Sequence, residues 1–204
     1  MLKAYYQLSK ITKNRINNYR KKVSKSFIAE FIRILYNNMY SNAINHTNTI
    51  GSTASLVVGS DSQSFQVNAG SGNYILNFNN TDGIKNSSFG IMLGSGTAAV
   101  ITTDDNIVTP ITHGTSAGQL EYLGTFSPLD VTVVSSTASF MIERLFLNSS
   151  GGDVTVKEIG MYSLGVPSSG TYRLWCIARD LVSPAVTVAN GEYLKVSYTI
   201  QVTC

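Results

Sequence analysis

The sequence predicts a mostly β chain: an antiparallel β-sandwich, jelly-roll or Ig-like, carrying an N-terminal α-helical arm. Three observations lead there. In the closing run Tyr193–Thr203, Leu194, Val196, Tyr198, Ile200 and Val202 alternate with Lys195, Ser197, Thr199 and Gln201, the period-2 signature of a half-buried strand. Short apolar runs separated by Gly, Asn, Ser and Pro recur from residue 54 onward, as in sandwiches and barrels. The first 42 residues instead carry apolar side chains at spacings of three and four, with nine Lys or Arg against the single acid Glu30.

In chain order, residues 1–42 read as a basic amphipathic arm. Val23, Phe27, Ile28, Phe31, Ile32, Leu35, Tyr36 and Met39 fall on one helical stripe, continued upstream by Tyr5, Leu8, Ile11, Ile16 and Tyr19. Such a stripe needs cover, which marks Val23, Phe27, Ile28, Phe31, Ile32, Leu35 and Met39 as candidate oligomerisation or partner contacts. Lys10, Lys13, Arg15, Arg20, Lys21, Lys22 and Lys25 are the candidate contacts to a polyanion, nucleic acid or membrane. The N-terminus has no apolar h-region, so no secretory signal is predicted.

Residues 43–53 are Asn-, Thr- and Ser-rich and read as a linker, and residues 54–204 as the sandwich domain. Its predicted strands are 54–58, 64–67, 73–78, 89–93, 98–102, 119–123, 131–134, 138–147, 154–162, 172–177, 185–188 and 193–202. Asn190-Gly191 supplies the tight turn before the last strand. Arg144 shares a parity with Phe140, Ile142 and Phe146, and Glu158 shares one with Val154 and Val156. Both charges are thereby drawn inward. An ion pair between Arg144 and Glu158 is the expected solution, with Arg179 as substitute partner, because an unpaired buried charge is strongly disfavoured. A bulge at Glu158-Ile159-Gly160 would instead turn Glu158 outward.

Residue types that carry chemistry are sparse. His46 and His113 lack a neighbouring ligand, and no calcium-type series follows Asp104-Asp105, so no metal or cofactor is predicted. Gly94-Ser-Gly-Thr97 is glycine-rich, but no Lys follows and the next residues read as strand, which excludes a P-loop. Gly-x-Ser-x-Gly occurs once, at Gly114-Thr-Ser-Ala-Gly118, but the next residues read as strand and not helix, so no nucleophile elbow is expected. Tyr162, Tyr172, Trp175 and Tyr193 offer a sugar-stacking surface or, more ordinarily, strand packing. Cys176 and Cys204 form no disulfide framework and read as a buried and a terminal thiol.

The segments Ile91–Thr97, Asp105–Ile111, Gly118–Tyr122, Ala138–Asp153, Val156–Tyr162, Ile177–Asp180 and the strand after Asn190-Gly191 occur in an order that resembles a family of phage virion proteins, tail- or fibre-associated. The resemblance spans residues 90–204. It implies a structural β-sandwich subunit of a phage particle without catalytic residues. Its partners would be further copies of itself and other virion proteins, with no small-molecule substrate, and its location the virion after synthesis in the host cytoplasm. A carbohydrate- or receptor-binding module and a basic arm contacting DNA or membrane are the alternatives.

Overall fold

The computed structural model describes residues 2–12, 15–24, 44–47, 53–56, 89–126, 131–165 and 173–204. Its elements are β1 (Leu2–Thr12), β2 (Arg15–Ser24), β3 (Ile44–Thr47), β4 (Thr53–Leu56), β5 (Gly90–Gly94), β6 (Glu121–Phe126), β7 (Thr132–Val134), β8 (Thr137–Leu147), β9 (Val154–Gly165), β10 (Arg173–Val188) and β11 (Tyr193–Thr203). A large six-stranded sheet runs β2-β1-β11-β8-β6, with β7 also paired to β8, and a small one runs β10-β9-β5. All pairings between these strands are antiparallel.

The closing strand β11 lies inside the large sheet, between β1 and β8. Leu194, Val196, Tyr198 and Ile200 are buried, while Val202 is half-exposed. The two sheets share one apolar cluster. Ala4, Tyr6, Leu8, Tyr122, Ile142, Phe146 and the inward residues of β11 meet Ile91, Leu93, Val154, Val156, Ile159, Met161, Trp175 and Ile177. Burying a large side chain of this kind contributes roughly 1.5–3 kcal/mol, so this interface is the main source of stability.

The N-terminal helical arm is corrected by the structure. β1 and β2 pair antiparallel, and β1 pairs with β11 from Leu2↔Val202 to Ile11↔Tyr193. The reason is tertiary. The apolar face of β11 spans both of its neighbours, and β1 offers the matching alternation: Ala4, Tyr6 and Leu8 turn into the core while Lys3, Tyr5 and Gln7 turn away. Helical spacing is a weak prior beside that burial. Val23 is therefore no helix-stripe contact. On β2 it pairs with Tyr5 of β1, and it is half-exposed. Phe27, Ile28, Phe31, Ile32, Leu35 and Met39 lie outside the described residues.

This strand pair is also tied to the small sheet. Tyr6 Oη donates to the Leu181 carbonyl at 3.1 Å, and Ser24 Oγ donates to the buried Asp180 carboxylate at 2.7 Å. Tyr198 Oη donates to the same Asp180 oxygen at 3.1 Å. The predicted linker contains β3, which pairs with β4 as a separate hairpin. The run 98–102, read as a strand, is loop. The candidates at 172–177 and 185–188 belong to one long strand, β10, whose register against β9 shifts between Leu181 and Val186, around Pro184.

Candidate functional site

Two features stand out: a buried charge network beneath the loop after β5, and an uncovered apolar end of the large sheet. The network begins with a change of face along β9. Val154 and Val156 point into the core between the sheets, and so do Ile159 and Met161. The parity therefore switches before Ile159, and Glu158 is carried to the other face of the small sheet. It stays fully buried there, because the loop from Ser95 to Pro110 lies over it.

Glu158 Oε1 accepts the Gly96 and Thr109 N–H groups, each at 2.9 Å, and Oε2 accepts Val108 N–H at 3.2 Å. Arg179 completes the shell, with Nε at 3.0 Å and Nη2 at 2.9 Å from Oε2. Arg179 Nη1 also donates to Asp104 at 2.8 Å, and Nη2 donates to the Ala98 carbonyl at 2.9 Å. Burial alone would lower the Arg179 guanidinium, but its bonds to Asp104 and Glu158 outweigh burial and hold it above its ordinary value. Glu158 and Arg179 thus form the buried ion pair, and Asp104 extends it.

The glycines of Gly94-Ser-Gly-Thr97 now have a physical role. A Cβ on Gly94 would lie 2.5 Å from Glu158 Oε1 and 2.8 Å from the Thr109 carbonyl, and one on Gly96 would also strike Oε1. The stretch cradles an anion after all, and that anion is the chain's own carboxylate. Beside it, Tyr162 Oη accepts Ile107 N–H at 2.6 Å, and Phe89, Ile107, Tyr162 and Cys176 form a second apolar cluster. Burial pushes the Cys176 thiol up to about 12.

Arg144 takes a different course from the expected pairing with Glu158. Its guanidinium donates to the carbonyls of Leu123 at 2.8 Å, Phe89 at 2.9 Å and Ile91 at 3.2 Å. It lies 4.8 Å from the Tyr122 ring centroid. The side chain points between the sheets, whereas Glu158 has turned to the far side of β9, so the two are separated by the small sheet itself. Burial lowers Arg144 to about 10, which leaves it charged at neutral pH. Tyr122, which sequence reasoning did not single out, donates its hydroxyl to the Ile111 carbonyl and receives Leu93 N–H at 3.1 Å. It thereby fastens the far end of the same loop.

The other candidates are dispersed. Of the basic set, Lys10 is paired with Glu192 and Lys22 donates to the Ser183 carbonyl, while Arg15 and Lys21 are exposed. Lys13, Lys25 and the Arg20 side chain lie outside the described residues. Tyr162 and Trp175 are buried and Tyr193 is half-exposed, so these three make no common stacking face, and Tyr172 lies outside the described residues. Among the described residues no three His, Cys, Asp or Glu side chains gather as a metal group. Every oxygen of Glu158 is occupied by protein donors, which suits it to holding a loop and not to moving a proton.

The uncovered end of the large sheet is a row of four residues in register, Leu2↔Val202↔Ala138↔Val133. They continue the inward parity of Ala4, Ile200 and Phe140, yet Leu2, Val202 and Val133 are 45%, 44% and 69% exposed. The small sheet does not reach them. Compared with protein-family models, curated proteins and solved structures, the chain matches none.

Proposed function

We propose that this chain is a non-catalytic structural subunit of a bacteriophage particle, present in many copies and built in through contacts of its β-sheets. The observation that carries the reading is the uncovered apolar row at the end of the large sheet, since a patch of this kind on a folded chain marks a surface meant for another protein. Two further points support it. The buried charges are consumed internally in holding the loop from Ser95 to Pro110, and the order of sequence segments over 90–204 resembles virion proteins. Other virion proteins are the expected neighbours, and the particle is the expected location.

The test is quantitative mass spectrometry of gradient-purified phage particles whose genome encodes this chain. The expected result is the intact chain at a fixed multiple of a known structural protein. Its absence from particles, with recovery only in the soluble lysate, would overturn the reading.

A further inference from the structure

We propose that β7 is a seam strand, at which two copies of this chain join edge to edge and extend the large sheet across a two-fold axis.

The argument starts from the two faces of the sheet. At the register level next to the open row, the outward residues are Lys3, Gln201, Ser139 and Thr132, all polar. This is the ordinary pattern of a sheet with one wet face. β7 breaks it. Val133 faces inward and Val134 outward, and they are 69% and 67% exposed. Val131, just before the strand, is exposed as well. A strand apolar on both faces belongs inside a sheet, yet among the described residues β7 pairs only with β8. Among the described residues no strand pairs with its other side.

Charge identifies the occupant. Edge strands are normally protected from pairing by charged side chains. The opposite edge of the sheet, β2, follows that rule with Arg15, Lys21 and Lys22 and no acid, so its self-pairing would set like charges against each other. β7 carries no charge at all. An identical strand laid antiparallel against it meets neither repulsion nor an unpaired ion, and a two-fold axis brings just such a strand. Across the seam Val133 stands opposite Val133 of the second copy, the kind of cross-strand pair that stabilises sheets, and each Val134 stands opposite a Thr132. The apolar row from Leu2 to Val133 then runs without interruption from one copy into the other. With three residues in β7, the seam is short and the dimer weak, as suits a contact repeated many times in one assembly.

The inference rests on the structural-subunit reading for its purpose, and its test separates the two. Light scattering of the purified full chain across a concentration series should show a concentration-dependent dimer. V133K/V134K should remain folded, with unchanged melting temperature, and raise the dimer dissociation constant at least tenfold. V23K, on the opposite edge, should leave the dimer unchanged. A wild-type chain monomeric at all concentrations overturns the proposal, as does a V133K/V134K dimer as tight as wild type. A seam that holds in a protein absent from virions would sink the phage reading alone. A virion protein whose dimer ignores V133K/V134K would sink the seam alone.

Discussion

Cys176 and Cys204 carry the same thiol in opposite environments. Cys176 sits between Tyr162 and the loop from Ser95 to Pro110, fully buried, and its thiol is pushed up to about 12, so it remains protonated and shielded at neutral pH. Cys204 is exposed. Native protein should therefore release one equivalent of colour with a thiol reagent at pH 8, and a second only after denaturation. Two fast equivalents in the native state would mean that the loop does not cover Cys176. The same contrast between position and environment explains the charged residues. Their inward draw was legible, because Arg144 and Glu158 stand in apolar runs. The pair Arg144–Glu158 does not form; Arg179, the substitute partner, holds Glu158, whose change of face on β9 follows the alternative that the run Glu158-Ile159-Gly160 offered. Asp104 accepts both the Ile101 N–H inside the loop and Arg179 from β10, so it joins the loop to the buried pair.

At the scale of elements, the loop from Ser95 to Pro110 depends on Glu158 more than on its own sequence. Glu158→Gln removes the charge that three N–H groups and Arg179 converge on, leaving an amide N–H facing donors. The expected loss is about 3–5 kcal/mol, accompanied by faster hydrogen exchange at Gly96, Val108 and Thr109. Unchanged exchange at those amides would show that the loop is held by its apolar contacts alone. A second clasp joins β1 to the turn before β11 through Lys10 and Glu192. Burial raises the Glu192 carboxyl, but Lys10 and the Ala189 N–H outweigh it and hold the group below its ordinary value of 4.5. A lowered folded-state value means that the unfolded chain binds the proton more readily, so this contribution is present above the ordinary carboxylate range and fades as pH falls below it. Glu192→Gln should flatten the acid side of the melting-temperature profile and bring it closer to that of Lys10→Met. An acid limb identical to wild type would assign that loss to other carboxylates. Among strands, β8, β9 and β11 were readable from alternation. β10 was split into two candidates because the register shift around Pro184 interrupts its pattern.

For the molecule as a whole, the largest departure from sequence expectation is the first 24 residues. Tyr5, Leu8 and Ile11 fit a helical stripe, while Ala4, Tyr6 and Leu8 fit a strand, and only the unfilled edge of β11 decides between them. A detachable arm would leave a folded remainder when removed; this strand pair should not. Deleting residues 1–24 strips Tyr6 and Leu8 from the core, removes the Ser24 bond to Asp180 and bares β11 along its length. Circular dichroism should show the truncated chain unfolded or aggregated at 25 °C. A cooperative melt near that of the full chain would make the strand pair an accessory. The neighbourhood of β1 and β11 also sets a timetable. On the ribosome β1 is made long before β11, the strand it pairs with, so Ala4, Tyr6 and Leu8 remain uncovered until β11 follows. Contacts between distant parts of a chain form slowly, and uncovered strands in partly folded chains invite aggregation. The large sheet therefore closes around β1 only once β11 has been made, so synthesis of β11 is the event that commits this edge to its fold.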